Sequence, residues 1–131
     1  MKVLTAGVYD LMHIGHVKLF EKAKRLGDEL IVAIQKDEYV TKYKPSAKLF
    51  YALPDRLYMV RSLKYVDRVV EYETVDEIVK TIDFDVFAVG PDQTNEKFQK
   101  AFEWCNDNGK KIVVLPRTEG ISSTLIRNSR Q

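Results

Sequence analysis

A chain of 131 residues with 45% hydrophobic content can bury one well-packed core and hardly two, so a single domain over residues 1–131 is expected. Its 21 Lys and Arg against 19 Asp and Glu exclude the broad basic coat of a protein that covers many nucleic-acid phosphates, so no nucleic-acid partner is expected and any anion site must be local. The single cysteine excludes an internal disulfide and a cysteine-rich zinc site; no run is long enough to cross a bilayer and no signal-type apolar core follows a basic start, which points to the cytoplasm.

In chain order, five β-type apolar runs, "KVLTAG", "ELIVAIQ", "DRVVEY", "VFAVG" and "KIVVLP", each precede a stretch with helix signals. The first helix is expected from about His16 to Leu26, with Val17, Phe20 and Ala23 on one face and Gly27 as a left-handed cap. Between the second strand and the next helix, the segment from Lys36 to Leu53 reads as a long irregular loop carrying Lys42, Lys44 and Lys48, and a loop of that length is usually functional. Its lysines would gain partners when an anionic ligand binds. Pro54 can open the helix that carries Met59 and Val60, and Thr74 with Glu77 forms a capping box ahead of Ile78. Gly109 closes a helix that follows the fourth strand, and Cys105, among Phe102, Trp104 and Asn106, reads as a helix-face residue rather than a nucleophile. Strand–helix alternation with near-continuous apolar strands predicts an α/β fold: a single Rossmann-like domain with a five-stranded parallel sheet and helices on both faces.

Ligands of open parallel sheets bind at the carboxyl ends of the strands. At those ends the sequence places "GVYDLMHIGH", the lysine segment, "GPDQ" and "RTEGISST", whereas the opposite ends carry "LGDE", "KYVD", "DFD" and "NGKK", which read as ordinary turns. Ser122, Ser123 and Thr124 at a helix start suit a phosphate, with Arg117 and Arg127 able to face the same ligand. The only two histidines of the chain, His13 and His16, bracket Gly15, which lets a nucleotide approach the backbone closely. They admit three readings: a metal pair, disfavoured because no further histidine or cysteine joins them; a general base; or two hydrogen-bond donors to a phosphoryl group in transfer. The glycine spacing matches neither the P-loop nor the dinucleotide fingerprint, and a site of His, Lys and Arg around a helix N-terminus suggests nucleotidyl transfer.

"GVYDLMHIGH" resembles the G-[TS]-F-D-x-x-H-x-G-H signature of the cytidylyltransferase-like nucleotidyltransferases, and "RTEGISST" resembles their second signature, R-T-x-G-I-S-[ST]-[ST]. The likeness covers nearly the whole chain, and the lysine segment with "LPRTEGISST" is most similar to the glycerol-3-phosphate cytidylyltransferases of bacteria. The resemblance implies Mg2+-assisted transfer of CMP from CTP to a phosphorylated alcohol, glycerol 3-phosphate, releasing pyrophosphate and CDP-glycerol for cell-surface polymers, by a homodimer. It implies that His13 and His16 stabilise the transition state and that Lys42 and Lys44 flank the phosphates as further catalytic residues. Gly7, Val8, Tyr9, Asp10 and Gly15 would form the first nucleotide-binding loop, with Asp92 near the nucleoside. Arg117, Ile121, Ser122, Ser123 and Thr124 would grip the β- and γ-phosphates, and Arg56 would contact the acceptor phosphate. No protein ligand to a metal is implied.

Three departures stand out. Val8 replaces a hydroxyl residue, Tyr9 replaces Phe and adds a phenol that needs a partner, and "GPDQ" stands where the glycerol enzymes resemble G-D-D-W. The first signature is also similar to that of adenylyltransferases such as archaeal-type FAD synthetases, which form the main alternative; a non-catalytic nucleotide-binding domain is the other.

Overall fold

The computed structural model of the chain describes residues 1–43 and 49–116. In order it forms β1 (Lys2–Gly7), α1 (Ile14–Lys24), β2 (Glu29–Gln35), α2 (Asp37–Tyr43), α3 (Leu53–Arg61), β3 (Arg68–Tyr72), α4 (Val75–Thr81), β4 (Val86–Val89), α5 (Glu96–Asp107) and β5 (Lys111–Val114). The described strands make one sheet in the order β3-β2-β1-β4-β5, with every pairing parallel.

Strand alternation divides the core. Val3, Leu30, Val32, Ile34 and Ala88 face Phe20 and Ala23 of α1 and Val60 of α3. Leu4, Ala6, Ile31, Ala33 and Phe87 face Val75 and Val79 of α4 and Phe98, Ala101 and Cys105 of α5. Helices therefore cover both faces, which is why β2 can be apolar at consecutive positions: residues 30–34 are all fully buried. The outer strands carry their charges and exposed positions, Arg68 and Glu71 on β3 and Lys111 on β5. The chain winds outward from β1 to β3 with helices on one face, then returns beside β1 as β4 with helices on the other. That reversal puts the topological switch point between β1 and β4.

Several local expectations change. His13, not His16, delimits α1, because its side chain caps the first turn and makes His16 the third helical residue. Gly27 is not a left-handed cap: α1 ends at Arg25 in right-handed geometry, and the positive-φ glycine among those described is Gly109. Gly27 is needed for space, since a Cβ there would sit 2.3 Å from the Met1 carbonyl oxygen. Thr74 occupies the N-cap of α4, but its side chain makes no capping hydrogen bond, so the box is not formed. The segment after Lys36 is not irregular throughout: Asp37 and Glu38 start α2, favourably placed at a helix N-terminus. Pro54 does open α3, and Gly109 at φ 70 does close α5, with the Lys110 amide reaching back to the Cys105 carbonyl at 2.9 Å. Cys105 lies in the core, where burial pushes its thiol up to about 11, the behaviour of a packing residue. The helix expected after "GISST" lies outside the described residues.

Candidate active site at the carboxyl ends of the strands

The loop from β1 to α1 is held by its own residues. Gly7 ends the strand, and the Tyr9 ring folds back over it so closely that a Cβ on Gly7 would lie 2.7 Å from the ring. Tyr9 itself adopts φ 53, an uncommon conformation for a bulky residue that costs about 1–3 kcal/mol and is kept only where surrounding structure enforces it. The enforcement is visible: its ring is buried, edge-on to Phe20 at 5.1 Å and to His16 at 5.4 Å. Burial pushes the phenol up to about 12, against a smaller opposing pull from the Thr5 side chain.

The two imidazoles are stacked, with centroids 4.0 Å apart and planes 20° from parallel. His13 is the N-cap of α1, and its Nδ1 accepts the Gly15 amide at 3.0 Å. His16 returns the gesture, its Nδ1 accepting the His13 amide at 3.3 Å. An Nδ1 that accepts an N–H carries no proton, so each neutral ring bears its hydrogen on Nε2. Burial, reinforced by the neighbouring His13, depresses His16 to about 4, so this ring is neutral at physiological pH. The pair is therefore built as two oriented N–H donors.

Asp10 is buried, and its carboxylate accepts the amides of Phe50 at 2.9 Å and Tyr51 at 2.9 Å, tying the first loop to the approach of α3. Arg56, expected to meet an acceptor phosphate, is fully buried in this structure. Its guanidinium donates to the Val8 carbonyl at 2.9 Å, to the Tyr51 carbonyl at 3.2 Å and to the Asp37 carboxylate. Asp37 also accepts the Leu53 amide at 3.3 Å. Arg56 thus fastens the segments after β1 and β2 to the approach of α3. Asp37 carries no motif, and nothing along the chain marks it beyond its place at a helix start.

Across the switch point, Asp92 lies exposed in the turn after β4. The next residue, Gln93, donates from Nε2 to the Ala6 carbonyl at 2.6 Å and accepts the Gly90 amide at 3.0 Å, joining the ends of β1 and β4. Lys42 stands exposed on the last turn of α2, 5.6 Å above the Tyr39 ring. Lys44, Lys48, Arg117, Ile121, Ser122, Ser123, Thr124 and Arg127 lie outside the described residues. Among the described residues no group of three His, Cys, Asp or Glu is placed to hold a metal ion, and no helix is long and apolar enough to cross a membrane.

Residues 4–129 match the cytidylyltransferase-like family. The chain belongs to that family. It is 37% identical over 129 residues to glycerol-3-phosphate cytidylyltransferase of Bacillus subtilis, covering 96% of this chain and 94% of that enzyme. It is 44% identical over 130 residues to FAD synthase of Thermococcus kodakarensis, covering 97% of this chain and 78% of that one. Among solved structures, the lipopolysaccharide core biosynthesis protein of Thermoplasma volcanium superposes with a TM-score of 0.73 at 25% identity, covering 90% of this chain and 96% of its own. The chain is accordingly a nucleotidyltransferase.

Proposed function

We propose that the chain transfers CMP from CTP to glycerol 3-phosphate. A phosphate oxygen of the acceptor attacks the α-phosphorus, the α–β anhydride bond breaks, and pyrophosphate leaves as CDP-glycerol forms. The observation that carries this reading is the imidazole pair at the start of α1, whose Nδ1 atoms are occupied by backbone amides and whose protons therefore sit on Nε2. Such donors stabilise charge shifting onto phosphoryl oxygens. A ring held near 4 is a weak base, and an ionised phosphate nucleophile needs none, so donation suits His16 better than proton abstraction. Lys42 and Lys44 flank the triphosphate in this reading, Asp92 stands near the nucleoside, and the Arg117 to Thr124 segment holds the β- and γ-phosphates.

Magnesium fits as an ion that arrives on the triphosphate rather than in a protein cage, because the described residues offer no carboxylate cluster and this cation is commonly held by substrate phosphates and water. When bound it neutralises phosphate charge. The similarity to FAD synthase supports a second reading, adenylyl transfer from ATP to FMN. One panel separates them: CTP and ATP, each with Mg2+, against glycerol 3-phosphate, other phosphorylated alcohols and FMN, scored by pyrophosphate release. Turnover of CTP with glycerol 3-phosphate is the expected result; turnover of ATP with FMN alone would replace the first reading by the second.

A further inference from the structure

The family resemblance leaves "GPDQ" unexplained, and the structure gives it work at the switch point. β1 pairs with β2 from Lys2↔Glu29 through Gly7↔Ile34, but with β4 only at Val3↔Val86 and Leu4↔Phe87. Beyond those pairs the ladder between β1 and β4 stops, and the Gln93 side chain takes its place: one amide hydrogen goes to Ala6 O and the amide oxygen receives Gly90 N–H. The main chain of Gln93 also donates to the Gly90 carbonyl at 3.2 Å, closing a turn over Gly90-Pro91-Asp92-Gln93. Pro91 presets the first inner position, and Tyr9 is the positive-φ non-glycine among the described residues, so Asp92 has negative φ and the turn is not of type II. That turn returns the Gln93 side chain to its own starting strand. On the open side of the turn, a Cβ built on Gly90 would meet no atom within 4 Å, so the bridge borders free space.

We propose that Gln93 is a positioning residue for the nucleotide, its side-chain amide acting as a two-way latch that fixes the spacing of the β1 and β4 ends and so the width of the crevice between the histidine loop and the GPDQ turn. Only a group that both donates and accepts can make this bridge; an indole, which donates one N–H and accepts nothing, cannot. The latch acts through Ala6 and Gly90, so its loss widens a binding site without removing a donor to the reacting phosphate. The functional half of this inference rests on the nucleotide-transfer reading above; the structural half does not.

The test uses the full chain with Gln93→Met, which keeps the length and loses both bonds, and Gln93→Glu, which regains a donor only when protonated. In the ligand-free protein, exchange of the Gly90 amide in Gln93→Met should quicken roughly fivefold to tenfold, the factor that accompanies loss of one hydrogen bond. With Mg2+ and whichever of CTP or ATP the wild type turns over, the nucleotide KM should rise by about the same factor while kcat stays within about twofold. Gln93→Glu, ionised at about pH 7–8, keeps an acceptor for the Gly90 amide but cannot donate to the Ala6 carbonyl, so its Gly90 exchange should stay near wild type while its nucleotide KM rises, a split that can be read even if Gln93→Met fails to fold. Unchanged Gly90 exchange in Gln93→Met, or an unchanged nucleotide KM in either variant, would overturn the latch. If the wild type turned over neither nucleotide, the function reading would fall, and amide exchange would still decide whether the latch exists.

Discussion

The two ends of the same sheet use aspartates and basic groups in opposite ways. At the amino ends, the Met1 ammonium meets Asp28 at 2.6 Å, the Lys2 amide donates to Asp85 at 2.8 Å, the Lys2 ammonium meets Asp83 at 3.0 Å, and Asp67 takes the Leu30 amide at 2.8 Å beside Lys24. These carboxylates finish strand starts while remaining largely in water. At the carboxyl ends, Asp10 and Arg56 are buried and bond to segments that the chain must shape: Val8, Phe50, Tyr51 and, through Asp37, Leu53. Exposed pairs gain little because water solvates the separated charges nearly as well. A buried guanidinium must be fully partnered or the fold loses heavily. The amino ends are thus closed by ordinary turns, and the carboxyl ends hold a prearranged polar frame.

Replacing the histidines should produce the largest difference. His13→Ala and His16→Ala should each lower kcat by roughly two to three orders of magnitude, the scale for one preorganised donor, with a smaller loss of stability, about 1 kcal/mol, at the His13 cap. Asn or Gln at either position should retain more activity than Ala, a rescue that a general base would not show. Steady-state kinetics and thermal midpoints of these variants decide it, and wild-type turnover in both Ala variants would remove the catalytic role.

A smaller contrast concerns the frame itself. Arg56→Met should cost about 3 kcal/mol in urea unfolding, because it strands buried carbonyls and the Asp37 carboxylate. Lys2→Met at the opposite end, which removes an exposed pair with Asp83, should leave the midpoint unchanged within error. Equal losses would mean that the two ends do not differ in kind.

The pH profile gives the third and smallest effect. His16 titrates near 4 when folded, with burial as the main cause, and near 6.5 when unfolded, so between those values the unfolded chain binds the extra proton. Stability contributed by the neutral ring is complete above about pH 6.5 and is lost as pH falls toward about 4, by at most ~3 kcal/mol. His16→Gln should flatten that slope in unfolding measured across the window; an unchanged slope would show that the ring is not held neutral by the fold.

Much of this is legible in the sequence. Apolar runs at 2–7, 29–35 and 86–89 named the central strands, because a sheet covered on both faces requires consecutive apolar residues there. Pro54 and Gly109 marked helix ends through backbone restrictions that act locally. The first signature placed the histidines at a helix start. Other signals misled for a physical reason. Gly27 looks like a cap but is a close approach to Met1, and Thr74 sits at a cap without bonding as one.

What the sequence determined by itself is whatever depends on neighbours along the chain: the strand and helix alternation, the parallel class of the sheet, and the gathering of both histidines at one helix start. What only the tertiary structure decided depends on residues far apart in sequence. Arg56 became a buried tie because Val8, Asp37 and Tyr51 converge on it, and Gln93 became a bridge because β4 returns beside β1. The Nε2 protons of the histidine pair follow from the folded geometry, because both Nδ1 atoms accept backbone amides. A side chain's type sets which bonds it can make, but burial and the atoms that surround it set which bonds it does make, and those arise from the folding of segments that no local pattern connects.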